Sequence, residues 1–291
     1  MSSLISRILG TAPTPEPDGP GVIPSRLGLR LGVDTTTNYA PFTFDRTYDG
    51  PAKVLVVCTE ERYLETTNGA LFSTGHNVTE TAVPLLHLTA AGFDFDVATP
   101  TGAPAILEDW SVPVDDTAVV DFMTTHRDRF ASPLSLESLV ADGLDTSPYV
   151  AVFLPGGHGA MVGLPDDKSL GTLVRWVAET DRHMIAVCHG PAALLATRIE
   201  GGPHPYAGYE ICAFPDSIDR RSPSLGYLPG QLPWFQCEEL EKDGIRVINN
   251  STKGETHVDR KFYSGDSPRA CDDLGRLAAM AMLDELVTAN H

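Results

Sequence analysis

The stretch His183-Met-Ile-Ala-Val-Cys-His-Gly-Pro-Ala-Ala-Leu-Leu-Ala196 decides the fold of this 291-residue chain. Met184 to Val187 is a short apolar run with the length of a buried strand. It stops at Cys188, turns at Gly190, and resumes as Pro191-Ala-Ala-Leu-Leu-Ala, the opening of a helix. Proline suits the first helical position because its missing N–H would have had no intrahelical partner. Strand, cysteine, tight glycine turn and helix make the pattern of a nucleophile elbow, with sulfur in place of the serine oxygen. Such a turn holds the sulfur up at the carboxyl end of a sheet. The helix behind it would offer free N–H groups and a positive dipole end, both of which favour a thiolate. A buried structural cysteine ahead of a helix is the alternative for these residues taken alone.

Outward from the elbow, the chain alternates strands with helices. Lys53-Val-Leu-Val-Val-Cys58 reads as a central parallel strand. Val78 to Gly92 is a helical pattern that Pro84 should kink or delay. Phe93 to Ala98 is a second strand. Tyr149 to Leu154 is a third, followed by the turn Pro155-Gly-Gly-His-Gly159 and a helix over Asp166 to Thr180. Tyr209 to Phe214 and Ile245 to Ile248 read as strands, Leu232 to Lys242 as a helix, and Glu255 to Tyr263 as a hairpin. Ser267-Pro268 opens a terminal helix that runs through Val287. This order predicts an α/β fold: a flavodoxin-like parallel sheet with helices on both faces. The expected organisation is an extended arm over residues 1–50, a core from 51–100 and 149–291, and a small lobe inserted at 101–148. Within that insertion, Asp116 to Phe130 and Leu136 to Asp142 read as helices.

Composition narrows the function classes. A formal charge of −18 argues against non-specific binding to nucleic acid or anionic membranes. No apolar run approaches a membrane span. The five cysteines are odd in number and widely spaced, without a CxxC pair, which fits a reducing, cytoplasmic setting. Met1 to Gly10 is Ser-rich, lacks acids and is faintly amphipathic, in the manner of a transit peptide.

In open α/β sheets, ligands bind beyond the carboxyl ends of the strands. The glycines of Pro155-Gly-Gly-His-Gly159 let backbone N–H groups come close to a ligand. Gly156 or Gly157, with the backbone at His189, would form an oxyanion hole. Cys188 needs a base or charge partner, and His189 stands beside it. Asp216 and Asp219 follow the strand ending at Phe214, and either could orient that imidazole, although Asp216 reads better as a helix cap. Glu80, in the first turn of its helix, is a further acid within reach, or else a solvated first-turn residue favoured by the dipole.

Several runs resemble one family throughout: Tyr63…Asn68-Gly-Ala-Leu-Phe-Ser-Thr-Gly75, Glu80-Thr, Phe153-Leu-Pro-Gly-Gly-His-Gly-Ala160 and Cys188-His-Gly-Pro-Ala-Ala. Ile211-Cys-Ala-Phe-Pro-Asp216, Gly226-Tyr-Leu-Pro-Gly230 and Gly265-Asp-Ser-Pro268 extend the match, which runs from about Lys53 to the C-terminus. The chain resembles the HchA-type stress chaperones, also described as glutathione-independent glyoxalases III and protein deglycases. They belong to the ThiJ/PfpI superfamily, related to class I glutamine amidotransferases. The resemblance implies Cys188 as nucleophile, His189 as general acid/base, Asp219 as its orienting acid and Glu80 as carboxyl partner of the sulfur. It implies turnover of methylglyoxal and glyoxal to lactate and glycolate, removal of glycation adducts from proteins and guanine, a holding-chaperone activity on unfolded clients, and a homodimer.

The family also carries a metal site of two histidines and a carboxylate. The matching positions here are Thr89, Asp94 and His126. Thr89 removes an imidazole, and His87 lies nearly on the opposite helix face. The expectation is therefore that no cofactor is required and that any zinc at Asp94 and His126 is weak. Two other classes stay open at this point: a chaperone with no chemistry of its own, and a cysteine peptidase or amidase acting on small substrates.

Overall fold

The computed structural model describes residues 10–288. The leader-like segment therefore lies, apart from Gly10, outside the described residues. The main sheet has seven strands, numbered here in chain order: β1 Lys53–Val57, β2 Asp94–Thr99, β3 Leu134–Ser135, β4 Tyr149–Leu154, β5 His183–Val187, β6 Thr256–Asp259 and β7 Phe262–Gly265. Their spatial order is β6-β7-β5-β4-β1-β2-β3. All neighbours are parallel except the β6–β7 hairpin at one edge. The chain starts in β1, runs to one side through β2 and β3, then crosses back to β4. The reversal opens a crevice above the carboxyl ends of β1 and β4, where doubly wound folds bind ligands.

Burial explains the apolar strands. Val54 and Val56 face one layer with Phe95, Phe153 and Ile185, whereas Leu55 and Val57 face the other with Val152, Leu154 and Met184. Side chains alternate across a strand, so a β-branched run suits a sheet covered on both faces. Helix α1, Val78–Ala90, covers the first layer together with the terminal helix α3, Cys271–Thr288, and helix α2, Lys168–Glu179, covers the second. Asn77 starts α1 by accepting a hydrogen bond from the Glu80 N–H at 3.2 Å. The helix begins at Val78 and includes Pro84, so it does not start late at the proline.

The segment after Cys188 differs from expectation. It winds in 3₁₀ turns over Gly190–Glu200 rather than as a regular α-helix. Gly190 to Thr197 are all buried, and a Cβ on Gly171 of α2 would lie 2.5 Å from the Ala196 carbonyl. Packing at that distance overrides helix propensity. Tyr209–Phe214 is likewise shorter than expected, a two-residue strand Glu210–Ile211 paired in parallel with Arg246–Val247.

The inserted segment 101–148, expected as a small lobe, contributes the edge strand β3 to the main sheet, and its helix Thr117–Thr125 packs on α1. The segment at 1–50, expected as an extended arm, carries a short helix, Arg26–Gly32. It also supplies two strands, Thr14–Pro15 and Val22–Ile23, to a separate four-stranded sheet with Tyr63–Glu65 and Leu71–Ser73.

Helices α1 and α3 meet where Gly275 faces Pro84. A Cβ on Gly275 would stand 2.7 Å from the Pro84 Cα and 3.0 Å from its carbonyl oxygen. Gly275→Ala is therefore expected to destabilise the fold by about 1–3 kcal/mol through overpacking. Thermal unfolding checks this, and an unchanged midpoint would contradict the packing described.

Candidate active site

Cys188 ends β5 with φ at 59°, in the left-handed region that a side chain other than glycine or asparagine seldom adopts. The conformation is held from both sides. The Cys188 N–H donates to the Gly265 carbonyl at 2.9 Å, and its carbonyl accepts from the Phe214 N–H and the Gln236 side-chain amide, each at 2.9 Å. A strained residue fixed this firmly at the carboxyl end of a sheet is what an elbow requires. Cys188 is 5 % exposed.

The residues singled out in the sequence converge on this sulfur from three other elements. His189 Nδ1 lies 3.4 Å from the Cys188 Sγ. On its far side, His189 Nε2 meets Asp219 Oδ2 at 2.8 Å. Asp219 closes the short helix Asp216–Asp219 and is 1 % exposed. Asp216 goes elsewhere: its carboxylate accepts from the Cys237 and Glu238 N–H groups and caps the helix Gln236–Lys242. Glu80 is buried on the first turn of α1 with its carboxyl beside the Cys188 side chain, and its Oε1 has no hydrogen-bond partner among the described residues. The Gly157 N–H, on the loop beside them, favours the charged form of both the sulfur and the Glu80 carboxyl. Gly156 has no room for a side chain, since a Cβ there would sit 2.7 Å from the Cys188 Cβ and run into the Glu80 carboxyl.

Burial dominates the electrostatics. It pushes the Glu80 carboxyl up to about 8, helped by the charge of Asp266 and opposed by the Cys188 contact, so Glu80 keeps its proton at neutral pH. Burial also pushes the Cys188 thiol well up, and a charged Glu80 would push it further, while the Gly157 N–H pulls it down. The thiol made acidic by a helix terminus, as read from sequence, is thus not what these surroundings produce. Burial works against a charged Asp219, but His189 and His158 outweigh it and hold the carboxyl below the ordinary carboxylate range. Burial and the neighbouring His158 both lower His189, which is therefore neutral near pH 7. Asp219 then accepts from the His189 Nε2–H, leaving the Nδ1 lone pair facing the sulfur.

Three groups have no assigned role in the sequence reading. His158 Nε2 lies 3.1 Å from the second Asp219 oxygen, and its ring centroid is 4.0 Å from that of His189. Its place inside the Gly-Gly-His-Gly turn was the available signal. Tyr227 lies in the Gly226-Tyr-Leu-Pro-Gly230 run of the resemblance, which gave it no role, and Glu108 carried no signal. Burial pushes Glu108 up to about 8, and one of its carboxyl oxygens is taken by the Thr74 hydroxyl at 2.7 Å. These groups line a cavity of about 220 Å³ together with Cys188, while Leu31 of the Arg26–Gly32 helix lines its outer wall.

The expected metal positions do not fit a tight site. The Thr89 hydroxyl donates to the Leu85 and Leu86 carbonyls at 2.8 and 3.2 Å. Asp94 is paired with Arg129 at 2.7 Å and with Lys53 at 3.2 Å. The His126 ring packs on Phe95 and Phe122. Among the described residues, one trio brings metal-ligating atoms within 4.8 Å of one another, namely His158, His189 and Asp219. Its atoms are already engaged with each other in the hydrogen bonds above.

Glu80 gives a pH signature. Between about 4.5 and about 8 the folded chain holds a proton on Glu80 that the unfolded chain releases, so stability falls as pH rises through that window. Glu108 adds to the same slope. Glu80→Gln removes its share, and thermal midpoints measured from pH 5 to 9 are expected to decline less steeply in the variant. Parallel profiles would contradict the proton assignment.

Comparisons with known proteins place the chain in a family. The DJ-1/PfpI family model matches residues 70–204. A protein from Escherichia coli O1:K1 named protein/nucleic acid deglycase HchA is 45% identical over 260 residues, covering 89% of this chain and 91% of that one. Protein/nucleic acid deglycase 1 of Escherichia coli K12 is 44% identical over the same shares. Among solved structures, glyoxalase III from Candida albicans superposes with a TM-score of 0.63 at 21% identity, over 79% of this chain and 97% of that one. Rapid Encystment Protein 24 KDa from Francisella tularensis reaches 0.66 at 18% identity, over 79% and 99%. Those two structures share the fold, and the deglycase relatives align over most of the chain. The chain belongs to the DJ-1/PfpI family.

Proposed function

We propose that the chain is a cysteine-dependent deglycase and glutathione-independent glyoxalase, with Cys188 as nucleophile, His189 as general acid/base, Asp219 as its orienting acid and Glu80 as the proton-bearing partner of the sulfur. The observation that carries this reading is the buried array Glu80–Cys188–His189–Asp219, drawn from three distant parts of the chain, with Glu80, Cys188 and His189 lining one small cavity. The kinship with proteins named deglycases supports the same chemistry.

In the reactive form the proton sits on Glu80 and the negative charge on sulfur, with the Gly157 N–H stabilising that charge. The thiolate adds to the aldehyde carbon of an α-dicarbonyl such as methylglyoxal. The carbonyl oxygen takes a proton, giving a hemithioacetal. His189 Nδ1 then removes the hydrogen from that carbon and returns a proton to the adjacent carbon, while the hydroxyl proton of the first carbon passes to the oxygen of the second, so the aldehyde carbon is oxidised as its neighbour is reduced. The product is a thioester of the 2-hydroxy acid on Cys188. Water hydrolyses it, releasing lactate and restoring the thiol. An early glycation adduct on a Cys, Lys or Arg tip presents the same carbon skeleton. A cavity of about 220 Å³ suits such a tip or a free aldehyde better than an extended peptide. No step calls on a metal.

Purified protein incubated with methylglyoxal, without glutathione, is expected to yield lactate of one hand, and to do so after chelator treatment as well. Cys188→Ser should abolish turnover, and Asp219→Asn should lower it by about 100-fold or more. The reading fails if no lactate forms, or if short peptides release amine at rates matching aldehyde turnover.

A further inference from the structure

The loop that brings Gly157 to the sulfur is a Gly156–Gly157 peptide, the softest link a chain can contain. Glycine on both sides removes the steric barriers that would fix the orientation of the peptide plane. If this plane turned over, the Gly156 carbonyl would replace the Gly157 N–H in front of Cys188 and repel a thiolate. In a trans peptide the C=O and N–H point in opposite directions. A clamp on the carbonyl therefore aims the amide.

His76 occupies the carbonyl side. Its Nε2 accepts from the Thr59 N–H at 2.8 Å, which leaves Nδ1 as the protonated nitrogen. That Nδ1–H lies 3.0 Å from the Gly156 carbonyl and 3.2 Å from the Pro155 carbonyl. The Asn77 N–H adds a longer bond to the same Gly156 oxygen at 3.1 Å. The imidazole is fully buried, and burial lowers it to about 4, so it stays neutral and keeps this hydrogen-bonding pattern across the working pH range. Its own backbone is fixed by the bonds of the His76 N–H to the Ile106 carbonyl and of the Glu108 N–H to the His76 carbonyl, at 2.8 and 2.9 Å.

We infer that His76 is a positioning residue: by holding the Gly156 carbonyl it keeps the Gly157 N–H facing Cys188 and Glu80. The inference rests on the reading of Cys188 as the nucleophile. His76 itself transfers no proton.

Two substitutions separate this role from a general structural one. His76→Asn keeps an N–H donor near the Nδ1 position and gives up the bond to Thr59. His76→Gln places its amide near the Nε2 position, keeps the bond to Thr59 and gives up the donor to Gly156. The first measurement is the pH profile of Cys188 alkylation by iodoacetamide, taken without any dicarbonyl. Glu80, His189, Asp219 and Tyr227, the titratable groups acting on this thiol or facing it, are the same in all the proteins compared.

His76→Gln and His76→Ala are expected to move the alkylation profile to higher pH. They should lower kcat by roughly 10–100-fold, less than outright loss of an oxyanion donor, with KM changed by no more than about twofold. His76→Asn is expected to stay near wild type in both. Equal impairment of the Asn and Gln variants, or a wild-type profile in His76→Gln, would overturn the inference. If His76→Ala does not fold, the Asn and Gln pair decides. If wild-type protein turns over no dicarbonyl, the functional reading falls, while the alkylation profiles still judge His76.

Discussion

At Gly156 a single added methyl group would strike both the Cys188 Cβ, 2.7 Å away, and the Glu80 carboxyl. That approach brings the loop after β4, the elbow after β5 and the first turn of α1 into one site. Each of the three has its own lock. Cys188 is held in the left-handed region by bonds on both sides of its backbone, Glu80 by the Asn77 cap, and the glycine loop by hydrogen bonds from the His76 side chain and the Asn77 backbone. Remove the close approach, and the sulfur keeps its strand but loses its amide and its carboxyl.

Withdrawal from water then sets the chemistry. In bulk solvent Glu80 would be ionised at neutral pH and would oppose a thiolate through like charge. Here burial keeps a proton on that carboxyl and turns it into a hydrogen-bond donor. Asp219 lies as deep, yet two imidazoles hydrogen-bond it and keep it ionised. Two buried carboxylic acids thus take opposite protonation states because one faces sulfur and the other faces nitrogen.

Much of this was legible in the chain. The run Lys53-Val-Leu-Val-Val reads as a central strand because both faces of it are covered. Cys188 reads as an elbow because Pro191 can start a helix only where no N–H is needed. Glu80 and Asp219 were legible as candidates together with the groups they serve, but their protonation states were not, since burial decides a carboxyl's proton and no local pattern reports burial. His76 and Glu108 left no signal, and Tyr227 none beyond its place in the Gly226–Gly230 run, because their surroundings depend on packing between segments far apart in sequence. The winding of Gly190–Glu200 escaped for the same reason: the pressure of α2 on its glycine and alanine face is a tertiary effect.

The Arg26–Gly32 helix that walls the cavity leans on residues made much later. Gly28 packs so tightly on Gly226 that a Cβ would sit 2.7 Å from its carbonyl oxygen, and the Ser25 N–H donates to that same oxygen at 2.8 Å. A ribosome releases the first wall of this cavity long before it releases the surface that wall rests on. In the nascent chain, then, this wall cannot dock until Gly226 has followed Cys188 and Asp219 off the ribosome, and the elbow itself waits for Gly265, whose carbonyl holds the Cys188 N–H and which arrives later still.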